Sequence, residues 1–138
     1  MMVRDGMTPV LVTVGTSHSL RDAARRMTQA GVGAAVVLDP DLPAPAIITE
    51  RDVLHCAGED GDLDAERVGD HLTARPVFAA PDWPLERAAN EMSAGGFRHV
   101  IVIEGSHVLG ILSMRDIVRC WIGAGTMREA SELAATAR

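Results

Sequence analysis

The sequence predicts an α/β fold (α+β) in which one β-α-β-β-α unit is used twice. Three observations predict it. Leu20, Ala23, Ala24, Met27 and Gly31 recur as Leu85, Ala88, Ala89, Met92 and Gly96 at a constant offset of 65 residues, that between Leu20 and Leu85. A short unbroken apolar run follows each of these stretches, at 34–38 and at 100–103. A hydroxyl, an arginine and an aspartate then close each copy, as Thr49, Arg51 and Asp52 and as Ser113, Arg115 and Asp116. Internal repetition of this kind marks a duplicated structural unit.

Each element has its own signal. A short strand is predicted over residues 10–14, announced by Met7 and Thr8, with a counterpart around 77–79 announced by Leu72 and Thr73. The matched apolar positions that follow fall at i, i+3, i+4 and i+7, the buried stripe of an amphipathic helix. Ser19 with Asp22 reads as the N-cap of the first helix, and Asp82 with Pro84 as the start signal of the second. Gly31 and Gly96 stand where a helix ends in a left-handed turn. The runs at 34–38 and 100–103 are too short for helices and rich in β-branched residues, so they read as buried strands. A proline-rich turn at 39–45, or the shorter Glu104 to His107, leads to a second strand from Ile47 or Ile111 and then to a charged helix start.

Residues 58–64 form a polar, acidic loop, followed by a short helix from Ala65 to Leu72. In the tail, Met127, Ala130, Leu133 and Ala134 have helical spacing, for packing on the module or for a dimer contact. The division is therefore repeat one at 7–57, a linker with a short helix at 58–71, repeat two at 72–122 and a helical tail at 123–138.

With 138 residues and a hydrophobic fraction of 47%, one compact core is expected. The apolar blocks are broken by charges well short of the roughly 20 residues a membrane helix needs. Residues 1–14 do not read as a secretory signal, so a cytoplasmic, membrane-free protein is expected. The net charge of −6 and the 3% aromatic content argue against nucleic acid as a partner, since that binding rests on basic residues and stacking platforms. Cys56 and Cys120, far apart in sequence, read as reduced thiols. No zinc spacing joins His18, His55, His71, His99 and His107, and neither cysteine has a base placed to activate it. An enzyme is not expected, and no cofactor is required.

The two hydroxyl-x-Arg-Asp tetrads allow two readings. Each is a capping box, in which Thr49 or Ser113 caps a helix and the aspartate reaches back to it. Each also suits a ligand, because a carboxylate accepts both hydroxyls of a ribose and a helix N-terminus favours an anion. The two roles are compatible.

The unit order, the Met-Thr lead-in, the Leu-x-x-Ala-x-x-x-Met-x-x-x-Gly helix and the Thr/Ser-x-Arg-Asp junction together resemble CBS domains, which occur in tandem pairs called Bateman modules. The resemblance covers residues 7 to 121. It implies a module of pseudo-two-fold symmetry with two clefts between the repeats, binding AMP, ADP, ATP or S-adenosylmethionine as a regulatory ligand. Asp52 and Asp116 would hold ribose, and Thr49 and Ser113 would contact ribose or phosphate. The adjoining Arg51 and Arg115 fall within the same candidate sites. Adenine would lie among Thr13, Val36, Ile101 and the region of Ala79. Arg98 and His99, where the second main helix turns into its strand, would face phosphate. The first copy has Gly33 and Ala34 there, and Ala46 where the second keeps Gly110, so the second half is the better equipped. A methyl group at Ala46 is expected to narrow the backbone's approach to a ligand. The resemblance also implies a homodimer packed through the second helices, at Val53, Leu54, Ile117 and Val118, with an effector protein as a possible listener. The competing class is a structural or interaction module whose clefts bind nothing.

Overall fold

Two sheets and the helices that cover them carry the fold, and the backbone signals read from the sequence account for most of their ends. A computed structural model describes residues 1–10 and 12–136, as backbone alone from 126 onward. In chain order the elements are α1 (Val3–Gly6), β1 (Thr8–Pro9), β2 (Thr13–Val14), α2 (Leu20–Ala30), β3 (Ala34–Val37), β4 (Ala46–Thr49) and α3 (Glu50–Gly58). The second set is α4 (Val68–His71), β5 (Phe78–Ala79), α5 (Leu85–Gly95), β6 (His99–Glu104), β7 (His107–Ser113) and α6 (Met114–Thr136). Ser19 caps α2 by accepting the Asp22 N–H at 3.1 Å. Gly31 and Gly96 end α2 and α5 with φ of 68° and 70°, which glycine adopts without a Cβ penalty. The start of α5 differs from expectation. Pro84 offers no side-chain cap, and the Leu85 N–H donates to the Met1 carbonyl at 3.0 Å. The tail continues α6 without a break; the packing expected of Met127, Ala130, Leu133 and Ala134 lies outside the described residues. Among the described residues no helix is long and apolar enough to cross a membrane.

The first sheet has the order β2-β3-β4 and the second β1-β7-β6-β5. Within each, the strand before the main helix runs parallel to the one after it, and the next strand returns antiparallel. The lead-ins are exchanged. Strand β1, at the start of the first copy, joins the second sheet, with Thr8 opposite Ile111 and Pro9 opposite Gly110. Thr73, at the start of the second copy, bridges Ile47 in the first sheet. The short helices cross over too. Val3 is fully buried in the second half's core and donates its N–H to the Trp83 carbonyl at 2.9 Å. Val68, its counterpart, is buried in the first half's core and donates to the His18 carbonyl at 2.9 Å. The repeat therefore begins at Val3 and Val68, upstream of the lead-ins at Met7 and Leu72. The stretch expected to act as a linker at 58–71 contributes α4 to the first half's core.

Strand alternation builds the layers. Ala35, Val37, Ala46 and Ile48 face Leu20 and Met27, while Val100, Val102 and Leu112 face Leu85 and Met92. The opposite phase, Ala34, Ile47 and Ile101 with Ile103 and Ile111 against them, fills the space between the sheets. The result is helices, sheet, sheet, helices, with the two halves related by a pseudo-two-fold. Gly110 has a different task from the one expected of it. A Cβ there would fall 2.2 Å from the Thr8 carbonyl oxygen, so the glycine admits the backbone of β1 rather than a ligand. At the matching position in the first half stands Ala46, and there the exchanged pairing is a single bridge.

Candidate functional site

The strand-to-helix junctions were the sharpest chemical feature of the sequence, and both fold as capping boxes. Asp52 Oδ2 accepts the Thr49 N–H at 2.8 Å and the Thr49 hydroxyl at 3.1 Å. Asp116 Oδ2 accepts the Ser113 N–H at 2.9 Å, and the Ser113 hydroxyl accepts the Asp116 N–H at 3.0 Å. The surroundings separate them. Asp52 is half-buried, whereas Asp116 is 7% exposed, the one charged residue classed as buried among the described residues. A buried carboxylate needs hydrogen bonds and opposite charge to offset its desolvation. The cap supplies the first, and Arg119, 3.8 Å from Oδ1, the second.

Beside Asp116 opens a cleft of about 660 Å³, bounded by Thr8, Pro9, Val10 and Val12 of the lead-in, the end of α2, the starts of β3, β6 and α3, and the first turns of α6. Clefts of roughly 300–1,000 Å³ enclose small organic ligands. Its lining is apolar at Pro9, Val10, Val12, Val32 and Ile111 and polar at Arg98, His99, Ser113, Arg115, Asp116 and Arg119, among others. The structure thus gathers five of the sequence-derived site residues, Arg98, His99, Ser113, Arg115 and Asp116, into one cavity.

Six others lie elsewhere. Thr49, Arg51 and Asp52 sit at the pseudo-symmetric junction and do not line this cleft. Val36 and Ile101 are completely buried in the core, Ile101 in the layer between the sheets. Thr13 pairs with Val36, and its carbonyl accepts from Arg26 at 3.1 Å, outside the cleft. Ala79 is likewise buried, in the second core. The cleft is lined instead by Val10 and Val12, just before Thr13, because the lead-in crosses to the other half before turning into β2. Sequence reasoning also missed Glu50 and Arg119. Glu50 was legible as the middle of the Thr49–Asp52 tetrad, and Arg119 as one helical turn beyond Arg115; nothing local shows which cavity either faces.

The lining brings three arginines, Arg98, Arg115 and Arg119, into one cleft with Asp116 and Glu50. His99 sits among them. Burial holds its pKa below the usual histidine value; Glu50 and Asp116 oppose that effect, and Arg115 and Arg98 add to it. The ring is therefore uncharged at neutral pH, able to donate from one nitrogen and accept at the other. Elsewhere, burial raises the Cys56 thiol pKa, which keeps it protonated and unreactive.

Comparison with known proteins agrees with the duplicated fold. A family model described as CBS domain matches residues 3–59 and again 68–123, starting at the two valines that open the structural repeat. An uncharacterized 17.7 kDa protein of Acidianus ambivalens is 30% identical over 122 residues, covering 88% of this chain and 73% of its own length. The hexameric CBS-CP12 protein from bloom-forming cyanobacteria superposes with a TM-score of 0.81 at 26% identity, over 86% of this chain and 69% of that one. A CBS domain protein from Pyrobaculum aerophilum, complexed with AMP, does so with a TM-score of 0.74 at 28% identity, over 84% and 89%. Several curated relatives are much longer than the shared region. The chain spans 22% to 53% of three CBS domain-containing proteins of Arabidopsis thaliana, and 33% of an arabinose 5-phosphate isomerase of Escherichia coli.

Proposed function

This chain belongs to the CBS-domain family as a tandem pair, and from that premise we propose that it is a regulatory module taking an adenosyl ligand in the cleft beside α6. The observation that carries the reading is the buried Asp116 carboxylate at the start of α6, in a cavity that also holds Arg98, Arg115 and Arg119. Asp116 and Ser113 take the ribose hydroxyls, Val10, Val12 and Val32 sandwich the base, and Arg98, His99 and Arg115 meet phosphate. Each pairing matches a donor with an acceptor or an apolar face with an aromatic ring. AMP bound to the Pyrobaculum aerophilum protein supports the ligand class. The module acts by favouring one arrangement of its halves when occupied, and no catalytic step is assigned to it. At the first junction, Thr49 and Asp52 serve as a helix cap, and Arg51 is a solvent-facing residue beside it.

Titration with AMP, ADP, ATP and S-adenosylmethionine, followed by thermal unfolding and calorimetry, tests the reading. Ligand at a hundred times its Kd should stabilise the fold by about 2.7 kcal/mol. No stabilisation by any of the four at millimolar concentration rejects the adenosyl site and leaves an interaction module.

The reading includes a homodimer. Of the four positions expected at this contact, Ile117 is buried in the second core and Val53 packs on the first. Leu54 on α3 and Val118 on α6 are 70% and 46% exposed, and Trp121 extends the α6 stripe at 45%. Apolar positions duplicated across a pseudo-two-fold suit a self-complementary contact between two copies. Light scattering at micromolar concentration should give twice the chain mass, and Trp121→Asp should return it to one. A wild-type mass of one chain rejects the dimer. The signal then passes to the dimer mate or to an effector protein.

A further inference from the structure

The second carboxylate of the cleft, Glu50, is unexplained by the helix cap or by the ribose site. Glu50 is the first residue of α3, exposed, and part of the cleft lining. Its carboxylate lies against the α-carbon of Gly33, where an added methyl would stand 2.9 Å from Oε1. In the second copy the same two positions are Met114 and Arg98. The first copy therefore puts a negative charge near a backbone site whose counterpart bears a positive one. Among the described residues no hydrogen bond or ion pair ties this carboxylate down, and its charge acts on His99.

Resting on the adenosyl reading of this cleft, we propose that Glu50 is a specificity residue that limits how much negative charge the ligand brings. One phosphate is met by Arg98, Arg115 and His99. Further phosphates bring more negative charge near the Glu50 carboxylate, and its repulsion grows with each one. A ligand with a cationic group, such as the sulfonium and ammonium of S-adenosylmethionine, is attracted by the same carboxylate. A helix-terminus role alone, in which an acidic first-turn residue favours the dipole, would alter stability without ranking ligands by charge.

The test is calorimetric titration of AMP, ATP and S-adenosylmethionine into wild-type protein and Glu50→Gln, at low and at physiological salt. Glu50→Gln should raise ATP affinity about tenfold more than AMP affinity and lower that of S-adenosylmethionine, with the spread shrinking as salt rises. Gly33→Ala, which displaces the carboxylate without changing its charge, should move the ATP to AMP ratio the same way by less. If AMP binds and the three ligands respond equally to Glu50→Gln, the charge filter is rejected while the site stands. If the wild type binds none of them, the adenosyl reading fails and the filter with it.

Discussion

Asp116→Ala is expected to weaken adenosyl-ligand binding at least about a hundredfold and to lower folding stability by about 1–3 kcal/mol. Both effects follow from one carboxylate. Its Oδ2 holds the Ser113 N–H at the start of α6, and loss of such a cap costs about 0.5–2 kcal/mol, with more when the partner left behind is buried. Hydrogen bonds to a charged group contribute about 1.5–3 kcal/mol each, and each 1.4 kcal/mol is tenfold in affinity, so losing two ribose contacts exceeds a hundredfold. Asp52→Ala separates the two roles. It removes the equivalent cap, where Asp52 holds Thr49, and should cost similar stability while leaving affinity within about twofold. Urea denaturation and calorimetry on both variants decide the matter. Equal affinity for Asp116→Ala and wild type would remove Asp116 from the site.

Gly110→Ala is expected to destabilise the protein by about 2–3 kcal/mol, near the upper end of what overpacking a fitted site costs. The added methyl would lie 2.2 Å from the Thr8 oxygen and 3.3 Å from the Pro9 α-carbon, both backbone atoms in the exchanged strand. Relief requires β1 to leave β7. The consequence reaches the cleft, because Thr8, Pro9 and Val10 form part of its wall. Hydrogen exchange should show faster exchange at the amides of α1 and β7, with β2, β3 and β4 unchanged. Uniform loss of protection across both sheets, or none, would reject the exchanged strand as the point of failure. The same substitution is already present at the equivalent position as Ala46, where the exchanged pairing is a single bridge.

The helix stripes of Leu20 to Met27 and Leu85 to Met92, their terminal glycines, the strand runs that follow them and the capping tetrads were legible in the sequence, whereas of the strand expected at 10–14 only Thr13 and Val14 form one. Each legible feature is a local matter, set by backbone conformation, by side-chain periodicity or by a hydrogen bond spanning three residues. The repeat made the two-fold arrangement legible as well, and the resemblance it carried pointed to Arg98, His99, Ser113 and Asp116. The tertiary structure decided what depends on one half meeting the other. It placed Val3 and β1 in the second half and Val68 and Thr73 in the first. It turned Val36 and Ile101 into core and put Val10 and Val12 in the cleft. It also buried Asp116 while leaving its twin Asp52 half-open, and it brought Glu50 into the same cleft as His99. Local pattern says which residues share a strand face or a helix stripe. Whether that face meets the opposite sheet, a helix or an open cleft depends on how the sheets and helices pack, and no hydrogen bond or period within one repeat encodes that.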